Sequence, residues 1–182
     1  ALYGTSFYML FVWMPTYYTD ILDPPIPHAY MVNTVSMVLL LALLPVAGAL
    51  SDRFGRRRVL LVAMSLNALL VYPLFMAVDT GQVAFALAAQ LGFAVLVASI
   101  QGPMPAYMAE MFPTRIRASA LGISYNVTLG LLGGTAPLIA TWLISSTGDM
   151  AAPSLSPVCL SAVSLVALRT LRVREGGPLR YL

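Results

Sequence analysis

The sequence predicts an all-α, polytopic membrane protein with six transmembrane helices, and three observations carry that expectation. Of the 182 residues, 59% are hydrophobic and only 9% charged, with a mean hydropathy of +0.84. A soluble domain carries about a quarter charged residues. The apolar residues gather into six stretches, each near the roughly 20 residues that a membrane-crossing helix needs. The charged residues stand in connections, in the tail or at span ends, as the cost of a charge at the bilayer centre demands.

The first stretch, residues 3–19, is the shortest of the crossings. Its Pro15 predicts a kink and frees a carbonyl that a neighbour or water must satisfy. Trp13 and Tyr17, four residues apart, share one face. After the connection Asp20–His28 comes the second stretch, 29–50, which carries Asn33. A charged connection, 48–58, leads into the third, 59–78. The fourth, 83–109, holds Gln90 and Gln101, eleven residues or three helical turns apart and so on one face; Pro103 and Pro105 bend its last third. In the fifth, 118–144, Gly122, Asn126, Gly130, Gly133 and Pro137 recur at spacings of four, four, three and four, with Tyr125 beside them. That pattern predicts a narrow face on which another helix packs closely. The sixth, 153–171, ends in a basic tail, 172–182.

Charge sets the expected orientation. The ten basic residues are all arginine: 53, 56, 57 and 58 in the second connection, 115 and 117 in the fourth, and 169, 172, 174 and 180 at the end. The first, third and fifth connections hold Asp20, Asp23, Asp79 and Asp149. Six crossings put these sets on opposite faces, so the positive-inside rule places the arginine face and both termini in the cytoplasm. The chain begins Ala1-Leu2-Tyr3 without an initiator methionine and reads as a piece of something longer.

Several function classes find no support. No carboxylate or histidine lies within a span, which removes the acid–base pair or metal cluster an intramembrane enzyme needs, so neither catalytic nor metal-ligating residues nor any cofactor are expected. The single histidine, His28, stands at a boundary as a solvated residue, and the single cysteine, Cys159, as an inert packing residue. No aromatic residues interleave with a basic stripe, as nucleic-acid binding would require.

The most informative run is Gly48-Ala49-Leu50-Ser51-Asp52-Arg53-Phe54-Gly55-Arg56-Arg57-Arg58. Four arginines place it at a water interface. Gly55 permits a tight turn, and Gly48 removes a side chain where a second helix could approach. A basic juxtamembrane loop explains the arginines but not the two glycines and the aspartate at these spacings. The run resembles the loop signature of the major facilitator superfamily, G-x-L-x-D-R-x-G-R-R, with each fixed position filled. Downstream, Ala109-Glu110-Met111-Phe112-Pro113-Thr114-Arg115-Ile116-Arg117 is similar to the A-E-x-F-P-T-x-x-R segment between that family's helices ten and eleven. Gly122–Asn126 and Gly133–Thr141 resemble the metabolite–proton symporter subgroup, which includes permeases for proline and betaine, shikimate, and citrate. A sugar-porter half is the nearest rival, but the Pro-Glu-Thr-Lys-Gly-like run of those proteins is missing from 172–182. A non-transporting six-helix membrane protein stays open as a second alternative.

The resemblance implies the second six-helix half of a twelve-helix bundle in a bacterial inner membrane. Its partners would be the lipid bilayer, an N-terminal six-helix half, a small metabolite and protons. Substrate would bind near the midplane between the halves. The first and fourth spans would line the cavity and the second and fifth would flank it, making Trp13, Tyr17, Asn33, Gln90, Gln101, Tyr125 and Asn126 the substrate-path candidates, each also able to make an interhelical hydrogen bond instead. At the arginine face, Gly48, Asp52, Arg53, Gly55, Arg56, Arg57, Glu110, Arg115 and Arg117 would form a conformational latch. There, Arg56 or Arg57 would reach Glu110, and Asp52 would hold Arg115 or Arg117 at the start of the fifth helix.

Overall fold

The computed structural model describes residues 2–170, so the expected tail, 172–182, lies outside the described residues, as does residue 171 at the end of the sixth stretch. Six helical segments follow in order: α1 (residues 2–21), α2 (Ala29–Phe54), α3 (Arg56–Val78), α4 (Val83–Met111), α5 (Arg117–Thr147) and α6 (Leu155–Thr170). No strand occurs among the described residues. The last five, with the 3-10 turn Ala152–Ser154 leading into α6, are long and apolar enough to cross a membrane.

Proline determines where the regular helix fails. In α1, α-helix (Leu2–Phe7) gives way to π-helix (Tyr8–Trp13), one α-turn (Met14–Thr16) and a second π stretch (Tyr17–Ile21). Pro15 has no N–H, so the carbonyl four residues back, Phe11, lacks its α-helical donor; the one five back, Leu10, lacks its π-helical donor. α5 repeats the device. It runs as α-helix over Arg117–Asn126 and π-helix over Val127–Gly133, breaks before Pro137, and resumes over Ala136–Thr147. Pro137 likewise cannot donate to the Gly133 carbonyl in α register or to the Leu132 carbonyl in π register.

The small-residue face of α5 therefore differs from the expectation. A Cβ on Gly133 would come within 2.8 Å of the Tyr8 ring, so that glycine does pack closely on α1; around Gly122 and Gly130 the space is open. A π stretch adds residues to the turn, so a face counted at 3.6 residues per turn does not run straight through it.

The charged connection is also shorter than the eleven residues expected. α2 continues to Phe54 and α3 starts at Arg56, leaving Gly55 alone outside helix, at φ +92°. Only glycine adopts that region freely, and Arg56 reaches back to Asp52 across the joint.

α2 packs chiefly on α4, α3 on α4 and α6, and α1 along α5. α2 and α4 meet backbone to backbone: a Cβ on Gly102 would meet Ala47 Cβ at 2.8 Å, Gly48 N at 2.9 Å and the Leu44 carbonyl at 2.9 Å. The main core joins α1, α3 and α4 through Tyr17, Phe75 and Phe93, with ring centroids 6.1 and 5.3 Å apart. A smaller cluster of Leu2, Leu60, Met64 and Ile100 closes the arginine end. Large apolar side chains stay uncovered on α2 (Tyr30, Met31, Leu41) and α5 (Ile123, Leu138, Trp142).

Candidate transport site

Two groups of candidates emerge, one at the arginine face and one inside the bundle. At the arginine face, Arg56 joins two helices. Its Nη2 donates to Asp52 at 2.8 Å and its Nε to the same oxygen at 3.1 Å, while Nη1 donates to Glu110 at the end of α4. These side chains remain wet, at 26% exposure for Arg56, 61% for Asp52 and 55% for Glu110. Ion pairs of that exposure contribute about 0–1 kcal/mol each. Arg57 turns the other way and caps the end of α6, donating to the Leu168 carbonyl at 2.9 and 3.2 Å and to Arg169 at 3.3 Å. A cation there also complements the negative end of the helix dipole.

The expected pairing of Asp52 with Arg115 or Arg117 does not form: among the described residues Asp52 pairs with Arg56 alone. Arg117 Nε donates instead to the Phe112 carbonyl at 3.3 Å, within its own connection, and Arg115 is exposed. The physical reason is that α2 lies against α4, which carries Glu110, so one guanidinium spans both acids. Arg53 lies over the Phe54 ring, 5.8 Å from its centroid.

Inside the bundle the polar candidates bond to protein. Gln90, fully buried, donates to the Leu10 carbonyl at 2.7 Å and to Asn33 Oδ1 at 3.1 Å, and accepts from the Tyr18 hydroxyl at 2.8 Å. Asn33 Nδ2 donates to the Phe11 carbonyl at 3.1 Å. The two acceptors are the carbonyls that an N–H at position 15 would serve in π or in α register. Gln101 Nε2 donates to the Tyr3 carbonyl at 3.2 Å, so both glutamines of the shared face point at α1. Trp13 Nε1 donates to Thr141 at 3.1 Å and the Tyr17 hydroxyl to the Met150 carbonyl at 2.9 Å, the rings lying 5.0 Å apart. Tyr125 meets Tyr3 edge-on at 5.5 Å, and Asn126 bonds within its own helix, to the Gly122 carbonyl.

The aromatic faces of Trp13 and Tyr17, two of the substrate-path candidates, are thus covered: the side chains are 4% and 0% exposed. Cys159 is exposed rather than packed, while His28 is exposed as expected. Several participants escaped the sequence reading. Tyr18 and Thr5 gave no periodic signal, though Pro15 and Pro137, which supply no N–H, open places for side-chain donors. Asn67, buried in α3, donates to Ser161 of α6 at 2.8 Å, and only its position in a span could have flagged it.

An all-helical membrane bundle, with its charges at helix ends and its buried polar groups spent on bent helices, is the architecture of one half of a secondary transporter. The chain belongs to the Major Facilitator Superfamily, whose family model matches residues 1–180, and so to a family of transporters rather than enzymes. It is 31% identical over 177 residues to the proline/betaine transporter of Escherichia coli K12, a match covering 97% of this chain and 35% of that protein. It is 32% identical over 176 residues to the ectoine/proline transporter ProP of Corynebacterium glutamicum, with the same coverage. The glycine betaine/proline/ectoine/pipecolic acid transporter OusA of Dickeya dadantii is 28% identical over 177 residues, again 97% of this chain and 35% of that protein. These relatives are named for proline, betaine and ectoine, the kind of solute expected from the subgroup that Gly122–Asn126 and Gly133–Thr141 resemble. The chain spans about a third of the length of the curated relatives it matches. No solved structure matches it significantly.

Proposed function

We propose that these residues form the C-terminal half of a bacterial inner-membrane symporter that takes up a small zwitterion, proline or a betaine, by alternating access driven by the proton gradient. The observation that carries the reading is near-complete coverage of this chain by transporters whose names specify proline, betaine and ectoine. Charge placement bears on the division of labour. Every charged residue among those described lies at a helix end or in a connection. A proton-coupling carboxylate at depth is therefore the contribution of the other half, and this half supplies fold, state balance and neutral hydrogen bonding. The cluster of Asp52, Arg56 and Glu110 acts as a latch between α2, α3 and α4 that closes in one state and parts in the other.

The test is uptake by the intact protein in proteoliposomes with an imposed pH gradient, using labelled proline and glycine betaine. Saturable uptake that collapses when a protonophore dissipates the gradient is expected. Uptake of neither solute, or uptake indifferent to the gradient, overturns the proposal.

A further inference from the structure

The connection between α5 and α6, residues 148–154, is buried, although connections ordinarily run over the surface. Ala151, Ala152, Pro153 and Ser154 are all buried. Ala151 belongs to the main core with Tyr17, Phe75 and Val78, and Met150 packs against it. A backbone buried in this way must find partners for its polar groups, and the segment supplies most of them itself. Gly148, at φ +71°, donates to the Ile144 carbonyl and closes α5. Asp149 Oδ1 accepts from Ala151 N at 2.9 Å, and the Asp149 carbonyl from Ala152 N at 3.1 Å. Ser154 Oγ donates to the Ala151 carbonyl at 2.6 Å. The Met150 carbonyl is served from outside, by the Tyr17 hydroxyl of α1 at 2.9 Å. Among the described residues this is the one hydrogen bond that ties the segment to a helix other than α5 and α6, which it joins.

Packing aims that hydroxyl. The Tyr17 ring is fully buried, with centroids 5.0 Å from Trp13 and 6.1 Å from Phe75. Beside it Tyr18, its ring 6.2 Å away, donates to Gln90, which in turn bonds Asn33. A set of buried polar groups therefore lies next to the fastened connection. We propose that residues 148–154 are a strap that shuts the acidic end of this half against water, with the Tyr17 hydroxyl as its fastening. One hydrogen bond of this kind shifts an opening equilibrium by about three- to tenfold. A buried carbonyl left without its donor adds to the shift, because water serves it once the strap opens. An open strap uncovers Tyr17 and gives water a way to Tyr18, Gln90 and Asn33. Tyr17 is a positioning residue in this device, its hydroxyl spent on the strap and not offered to a solute. The proposal stands apart from the transport reading, since it concerns the closure of this half alone.

The experiment is amide hydrogen exchange on the intact protein in lipid nanodiscs, read on peptides that cover 148–154 and, for comparison, the connection 79–82. Both faces of a nanodisc meet solvent, so the result depends on neither orientation nor uptake. In the unsubstituted protein the amides of Ala151, Ala152 and Ser154 should exchange at least about tenfold more slowly than those of 79–82. Tyr17→Phe keeps the ring and removes only the hydroxyl. It should speed exchange in 148–154 by about tenfold and leave 79–82 unchanged. Thr141→Val removes the neighbouring bond from Trp13 of α1 to α5, and exchange in 148–154 should not respond to it. Three results overturn the proposal: no change in Tyr17→Phe, an equal rise at 79–82, or an equal rise in Thr141→Val, which would mean general loosening of α1 against α5. If Tyr17→Phe does not reach the membrane, the unsubstituted protein decides. Exchange at 151–154 as fast as at 79–82 means that the connection is open and the strap does not exist. Slow exchange there, together with an Ala152→Cys variant in a Cys159→Ser background that resists a water-soluble maleimide, upholds it.

Discussion

Arg56 is the residue on which the arginine face turns, because one guanidinium holds acids from two helices. Its pairs are exposed, so under the proposed latch its removal is expected to shift the balance between conformations more than the stability of either. Arg56→Gln is expected to lower unfolding stability by at most about 1–2 kcal/mol while cutting the initial uptake rate of the intact protein about tenfold, a change of about 1.4 kcal/mol in a barrier. Asp79→Asn, at the opposite face, should alter neither, and Asp52→Asn added to Arg56→Gln should add little, since both break one bridge. Equal effects at positions 56 and 79, measured at matched membrane abundance, would reduce Arg56 to a surface charge. The run around Arg56 was legible in the sequence as a unit, with Gly55 at the turn and an arginine reaching Glu110 among the expectations. Which acid each arginine takes was not legible, because it depends on α2 lying against α4, and helix adjacency leaves no mark on a single sequence.

At the scale of elements, the decisive positions are those where backbone meets backbone. Gly102 lets α4 touch α2, and two of its three nearest neighbours are main-chain atoms that cannot rotate away. Gly102→Leu should therefore destabilise the intact protein by about 1–3 kcal/mol or more, visible as a lowered thermal midpoint in detergent. Gly122→Leu, with open space around it, should leave that midpoint nearly unchanged. A harmless Gly102→Leu would mean that α2 and α4 do not meet as described. Pro15 and Pro137 announced their breaks in the sequence, because a missing N–H is visible in a residue's identity. The form of each break, and the partners that repair it, required the fold. For the same reason Gln90, Asn33, Trp13 and Tyr17 could be picked out as polar or aromatic groups in spans but not assigned to cavity or interior: periodicity tells which residues share a face, not what the face meets.

For the whole molecule, six crossings and alternating charge made the architecture readable from composition and spacing alone, since the bilayer enforces helix length and charge placement. Reporter fusions after Arg58 and Arg117 should report the cytoplasm, and those after Asp23, Asp79 and Asp149 the opposite side. One arginine connection found outside would break the proposed topology. The single-residue joint at Gly55 has a consequence for how this fold tolerates change in length. Where two long helices are separated by one residue, there is no slack. If α3 took up an inserted residue by shifting register along its own axis, every side chain on it would turn by about 100°. Arg56 would leave Asp52 and Glu110, and Arg57 would leave the end of α6, in the same event. The stretch 22–28, which contains no helix, can absorb the same insertion as a slightly larger loop. Natural variation in length should then collect on the acidic side of the bundle and be purged at the joint, making Gly55 a fixed point of register against which the other crossings are measured.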